Sequence, residues 1–249
     1  MIKANELLTL PDYFWWATNL KVYSIFSRDP ALNPTGYVTP EILYKTARQI
    51  KGGRAPQWQG GAAYIEHGTV GRNTLPYFAE GYGEPAGVVA EGRYACTHYL
   101  NPKDSTRLGD GRILDTTLVM FKMVPDGFAC NHVGEAEYRA HGKYYSQSWL
   151  ESHAYGIEHE NMQNGTDPFT PAQLIKGALV YVYLAAKDGI SDLMHISHKI
   201  IATPFGRRGD PDAGPFDWQA FLGHIHEIRK DRRIWQFWSM LDRWPYRPA

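Results

Sequence analysis

The sequence predicts an α/β (α+β) domain, a central mixed β-sheet flanked by helices and preceded by an N-terminal extension. Three observations predict it. From Gly61 onward short apolar runs alternate with turn residues; a helix with complete start signals opens at Thr170; and a second amphipathic stretch begins near Asp217. Strands interleaved with helices in this way build a sheet covered by helices. A chain of 249 residues can bury an ordinary core as one domain with extensions.

Taken in order, residues 1–55 read as an extension that packs on the rest, rich in rings (Tyr13, Phe14, Trp15, Trp16) and punctuated by Pro30, Pro34 and Pro40. Thr39 followed by Pro40 starts a short helix over 40–51, which Gly52 and Gly53 stop. The domain proper spans 56–249. Its strands are expected at 62–65, 94–100, 117–124, 155–158 and 193–197. The polar insert from Asn101 to Asp115, with Gly109-Asp110-Gly111 inside it, reads as a surface loop. Phe169-Thr-Pro-Ala-Gln173 contains a capping box with proline at the first helical position, and the helix it opens runs to about Lys187 before Gly189 ends it. Leu174, Ile175, Ala178, Leu179, Val182 and Ala186 make one face of that helix apolar. The helix from about Asp217 sets Trp218, Phe221, Leu222, Ile225 and Ile228 on one side, with His224, Glu227 and Arg229 to Arg233 largely on the other. The tail with Trp235, Trp238 and Trp244 is expected to pack on the domain.

Charge excludes some partners. The 26 basic residues balance the 26 acidic ones, so there is no global field to hold nucleic acid or an anionic membrane. No window approaches the ~18 apolar residues of a membrane span, and the first residues lack a signal-peptide core, so a chain that is cytoplasmic as synthesised and not inserted in a membrane is expected. Cys96 and Cys130 have no C-x-x-C spacing and read as thiols. Rings make up 14% of the chain, which suits a cleft for a sugar or peptide as well as ordinary packing. Oligomeric state is left open.

Sorting the ten histidines by their place at element ends leaves three segments of interest. His67 leaves the apolar run Ala62-Ala-Tyr-Ile65, and His198 closes the run 193–197. Asp210 follows twelve residues later within Gly206-Arg-Arg-Gly-Asp-Pro211. Two neutral imidazoles and a carboxylate, with a fourth position left to water, form a common catalytic zinc arrangement. Spacing alone leaves open that each is a hydrogen-bonded polar residue. His195 lies three residues before His198, which in a strand puts the two side chains on opposite faces. His98, His153, His159 and His195 read as ordinary packed histidines.

The segment Ala62-Ala-Tyr-Ile-Glu-His-Gly-Thr69 resembles the first ligand strand of the zinc-dependent N-acetylmuramoyl-L-alanine amidase family, which includes phage endolysins, muropeptide-recycling amidases and peptidoglycan recognition proteins. Further motifs follow in the family's order: Thr97-His-Tyr-Leu100, Cys130-Asn-His-Val-Gly134, Gly156-Ile-Glu158, Phe169-Thr-Pro-Ala-Gln173, and His198 through Asp210 to Phe216-Asp-Trp218. The likeness covers about 60–222.

The resemblance implies an amidase and peptidoglycan-recognition-protein-like fold, with Zn2+ held by His67, His198 and Asp210. It implies Glu158 as the catalytic carboxylate and Arg208 as a fixed cation where the family often has lysine. His132 matches a cleft histidine that is usually not a ligand, and with Thr97 and His98 it is placed on the substrate side. The implied reaction is hydrolysis of the amide between N-acetylmuramic acid and L-alanine in peptidoglycan or muropeptides. The implied setting is cytosolic recycling, or phage lysis with release to the wall. A non-catalytic peptidoglycan-recognition module is the alternative. This chain departs from the family at Thr97, where some phage members have a catalytic tyrosine, and at Gly68, where many have histidine or a small polar residue. The stretch between His132 and Gly156 is longer than usual.

Overall fold

The computed structural model describes residues 11–39, 59–69, 71–79, 96–125, 127–130, 132–205, 207–212 and 215–240. In chain order the elements are α1 (Tyr13–Asn19), β1 (Lys21–Ser24), β2 (Ala63–Gly68), α2 (Leu75–Ala79), β3 (Tyr99–Asn101), β4 (Ser105–Arg107), β5 (Ile113–Asp115), β6 (Val119–Lys122), β7 (Glu137–Ala140), β8 (Lys143–Ser146), α3 (Gln147–His153), β9 (Ala154–His159), α4 (Pro171–Asp188), β10 (His195–Ser197), α5 (His198–Ile201), α6 (Trp218–Lys230) and α7 (Arg232–Met240). Six strands form the main sheet in the order β1-β6-β3-β9-β2-β10. Only β3 and β6 run antiparallel; the other neighbours are parallel, so the sheet is mixed as expected.

The middle strands β2 and β9 are covered on both faces, and this is why they read as apolar runs without clean alternation. Helix α4 covers one face. Thr170 accepts from the Gln173 backbone N–H, the Gln173 side chain accepts from the Thr170 N–H, and Gly189 closes the helix with φ of 72°. Because α6 packs over α4 from outside, the inner helix is buried well beyond its one apolar stripe: Gln173 and Lys176 have no exposed surface. The Lys176 ammonium is satisfied by donating to the carbonyls of Pro102, Thr116 and Val119, at 2.8–2.9 Å.

Several expectations change. The strand expected at 193–197 is only β10, because Asp192–Met194 forms a single 3-10 turn capped by Ser191. Thr97 and His98 precede β3 rather than belonging to it. The polar insert is not a plain loop: β4 and β5 form a hairpin within it. The extension does more than pack on the domain, since β1 pairs in parallel with β6 as the edge strand of the main sheet, Val22 opposite Met120. In α6, Leu222 is exposed, and His224 is turned inward to Tyr13 of α1, Nδ1 to Oη 2.8 Å. Trp235 and Trp238 pack as expected, with Phe237 edge-on to Phe14. The helix expected at 40–51 and Trp244 lie outside the described residues. Among the described residues, no helix is long and apolar enough to cross a membrane.

Candidate metal centre

The parallel register of β2 on β9 sets His67 directly beside Glu158, so both side chains leave the sheet on the same face near its C-terminal edge. On the other flank β10 runs parallel to β2 and ends at Ser197, so His198 begins α5 at the same edge. The 207–212 segment returns to this edge, and the Asp210 carbonyl accepts from Lys199 N–H, which brings the Asp210 carboxylate in. Three of the expected residues therefore converge. His198 Nδ1 is 2.9 Å from His67 Nδ1 and 2.9 Å from Asp210 Oδ2, and His67 Nδ1 is 3.7 Å from Asp210 Oδ2. Among the described residues, this is the group of three or more His, Cys, Asp or Glu whose ligand atoms could share a metal ion.

Proton accounting tests whether a cation fits. His198 Nε2 sits 3.0 Å from the Val133 carbonyl, which can only accept, so Nε2 donates to the protein and Nδ1 is the nitrogen turned to His67 and Asp210. His132 Nε2 likewise donates to the Ala154 carbonyl at 3.1 Å. Burial, then repulsion by His67, pushes the His132 pKa well below its ordinary value, so its Nδ1 is a bare acceptor. That nitrogen lies 2.9 Å from His67 Nε2, which must then donate and leaves His67 Nδ1 bare as well. Burial first and His198 second hold the His67 pKa at about 4, so a proton is not the natural occupant between the two rings. Two imidazole nitrogens and a carboxylate oxygen, all within 4.8 Å of one another, are a donor set that suits a divalent cation of borderline softness such as Zn2+.

Glu158 Oε1 stands 4.0 Å from His67 Nδ1, beside the group. Burial and then repulsion from Asp210 push its carboxyl well above the usual range, and the Arg208 cation pulls in the opposite direction. A carboxyl whose charged form is disfavoured in this way takes up a proton more readily than an ordinary carboxylate. His132, Glu158, His198, Asp210 and Arg208 line a groove of about 780 Å³, with Arg72, Tyr77 and Gln163 on its other walls. His67 stands behind them, almost wholly buried.

Thr97 and His98 do not line this groove. The Thr97 hydroxyl donates to the Gly156 and Tyr99 carbonyls, and His98 accepts from Gly156 N–H while its Nε2 donates to Phe128 O. Their place is behind His132, whose ring meets that of His98 edge-on. Gly156 belongs to the same arrangement: a Cβ there would run into the His132 ring. At Gly68 a Cβ would meet the Gln163 carboxamide, the far end of a flexible side chain that would have to move aside. The long 132–156 stretch holds the β7–β8 hairpin, turned by His141 (φ 50°) and Gly142 (φ 71°), and α3.

Sequence reasoning missed a support under the site. Glu66 is wholly buried on the opposite face of β2, where it accepts from His159 Nε2 of β9 at 2.6 Å and from His195 Nε2 of β10 at 2.7 Å. Burial alone would raise this carboxyl; His159 and then His195 outweigh it and hold its pKa at about 2. One carboxylate thereby ties together the three strands that deliver His67, Glu158 and His198. His195 does point away from His198, as its spacing predicted. The signal for this support was the Glu66-His67 pair itself, since neighbours in a strand serve opposite faces.

The model of the N-acetylmuramoyl-L-alanine amidase family matches residues 63–213, more than half of the chain. Among solved structures the chain is similar to the N-acetylmuramyl-L-alanine amidase AmiD from E. coli, complexed with anhydro-N-acetylmuramic acid-L-Ala-D-gamma-Glu-L-Lys. The identity is 22% and the TM-score 0.48, covering 76% of this chain and 65% of AmiD, so the chain spans about two thirds of that protein. It is similar as well to AmpD, at 20% identity and TM-score 0.48, covering 76% of this chain and 99% of AmpD. A third is the amidase LysC from Clostridium intestinale, at 16% identity and TM-score 0.45, covering 83% of this chain and 97% of LysC. No curated protein matches the chain in sequence.

Proposed function

Since this chain belongs to the N-acetylmuramoyl-L-alanine amidase family, we propose that it hydrolyses the amide bond between N-acetylmuramic acid and L-alanine in peptidoglycan or its muropeptides, with Zn2+ held by His67, His198 and Asp210. The observation that carries the metal assignment is the convergence of two imidazole nitrogens and one carboxylate beside a groove that His198 and Asp210 line. Bound there, Zn2+ supplies Lewis acidity, polarising a carbonyl and making water acidic enough to ionise near neutrality.

The chain's own residues do the rest. Glu158, with its raised pKa, takes the proton of the attacking water on a carboxylate oxygen and returns it to the leaving amide nitrogen, so that the amine departs neutral. Arg208 holds its charge throughout and so acts on the developing oxyanion electrostatically. His132 fixes the His67 ring by accepting from its Nε2–H, which keeps the Nδ1 lone pair directed at the metal position. The groove, which Arg72 and Tyr77 also line, has room for an extended glycopeptide.

The test is to digest purified peptidoglycan and identify the new amino termini. New N-terminal alanine, with no new reducing sugar ends, supports the amidase. Binding to the wall with no new termini would replace it with a non-catalytic recognition module.

A further inference from the structure

The chain has two cysteines, and they meet. Cys96 Sγ lies 3.1 Å from Cys130 Sγ within the smaller apolar cluster formed around β3 and β6, and both residues are buried. They are unlinked thiols in the structure. Their separation is inside van der Waals contact and about 1 Å longer than the bonded distance of ~2.05 Å. They lie 34 positions apart in the sequence, and each belongs to a segment that supports the metal centre. Cys96 precedes Thr97 and His98, which grip Gly156 of β9. Cys130 precedes His132 and Val133, which hold the outer nitrogens of His67 and His198.

We propose that Cys96 and Cys130 form an intramolecular disulfide when the protein folds in the presence of a small-molecule disulfide, and that this bond holds Cys130, and with it His132 and Val133, against the histidines of the site. Each thiol gives up its proton and the two sulfurs bond. The two electrons released reduce one small-molecule disulfide to two thiols, which take up the two protons. Burial, and after it the contact with Cys96, pushes the Cys130 thiol well up, so thiolate attack inside the folded protein is suppressed. The bond therefore forms during folding and persists, instead of cycling as a sensor. It stands whether or not the chain cuts peptidoglycan.

The experiment refolds the full chain with zinc, once in glutathione disulfide and once in a phosphine reductant. Thiols are then counted in denaturant, peptides are mapped without reduction, and melting is followed. The oxidised sample should show no titratable thiol, a single monomeric 96–130 cross-linked peptide, and a melting temperature higher by on the order of 5–10 °C, reversed by reductant. Cys130→Ala should melt alike in both buffers. Two thiols still titrating after oxidative refolding, glutathione adducts on both cysteines, or a cross-link only between chains would overturn the proposal. Since wild type alone carries the comparison, a poorly folding variant does not blunt it.

Discussion

At the residue scale the site rests on where protons are. His67 and His198 each spend one ring nitrogen on the protein and turn the other toward Asp210. His67→Ala removes one of three ligands, and zinc content measured by atomic absorption should fall from one equivalent to near zero at micromolar protein. Glu158→Gln keeps the shape but not the base, so zinc should stay bound while turnover falls by about 10²–10⁴-fold; unchanged turnover would remove Glu158 from the reaction. His67 and His198 were legible as candidate ligands because each sits where an apolar run ends, Asp210 because it follows in a charged loop, and the resemblance implied their roles. The direction of each side chain was not legible. Thr97 and His98 carry a family motif, yet they support His132 from behind the groove, because the turn before β3 directs their polar atoms to Gly156.

At the scale of elements the question is what keeps three strand ends in register. Glu66 accepts from histidines on both neighbouring strands, away from water. In Glu66→Gln the amide group would face a ring N–H with another donor, at a cost of about 3 kcal/mol. The melting temperature should drop, and zinc should bind more weakly although no ligand has changed. Equal zinc affinity would limit Glu66 to folding. Lys176 anchors α4 to the sheet. Burial lowers its pKa to about 7, against the pull of Glu160, Asp104 and Asp115. An unfolded lysine titrates near 10.4. The unfolded chain thus binds more protons between these values, and this group makes stability rise as pH goes from about 7 to about 10. Urea midpoints of wild type at pH 7 and pH 9 should show that rise, and Lys176→Met should lack it while losing on the order of 3 kcal/mol through its orphaned carbonyls. Helix α4 was the most legible element, since its cap, first-turn proline and closing glycine are all local signals. The short strands were less so, because a run of three or four residues acquires its boundaries from its partners. Asp192–Met194 turns although its composition suits a strand.

At the scale of the molecule, residues 21–24 of the N-terminal extension are part of the sheet. The composition of the extension spoke for packing, but nothing local in Lys21-Val-Tyr-Ser24 announced a parallel pairing with a strand almost a hundred residues later. Such long-range pairing is set by the finished core and not by local preference. Deleting residues 1–24 should uncover the β6 edge and the apolar side of α7, and the truncated protein should melt lower and aggregate. A truncated protein as stable and soluble as the full chain would make the extension dispensable. The most direct measurement of zinc-dependent amidase activity is release of N-terminal L-alanine from purified peptidoglycan by the full chain, before and after chelation and again after zinc is restored. Release should stop with the chelator and return with Zn2+. Release unaffected by complete metal removal would contradict the His67–His198–Asp210 centre, and absence of release by zinc-loaded protein would contradict the amidase itself.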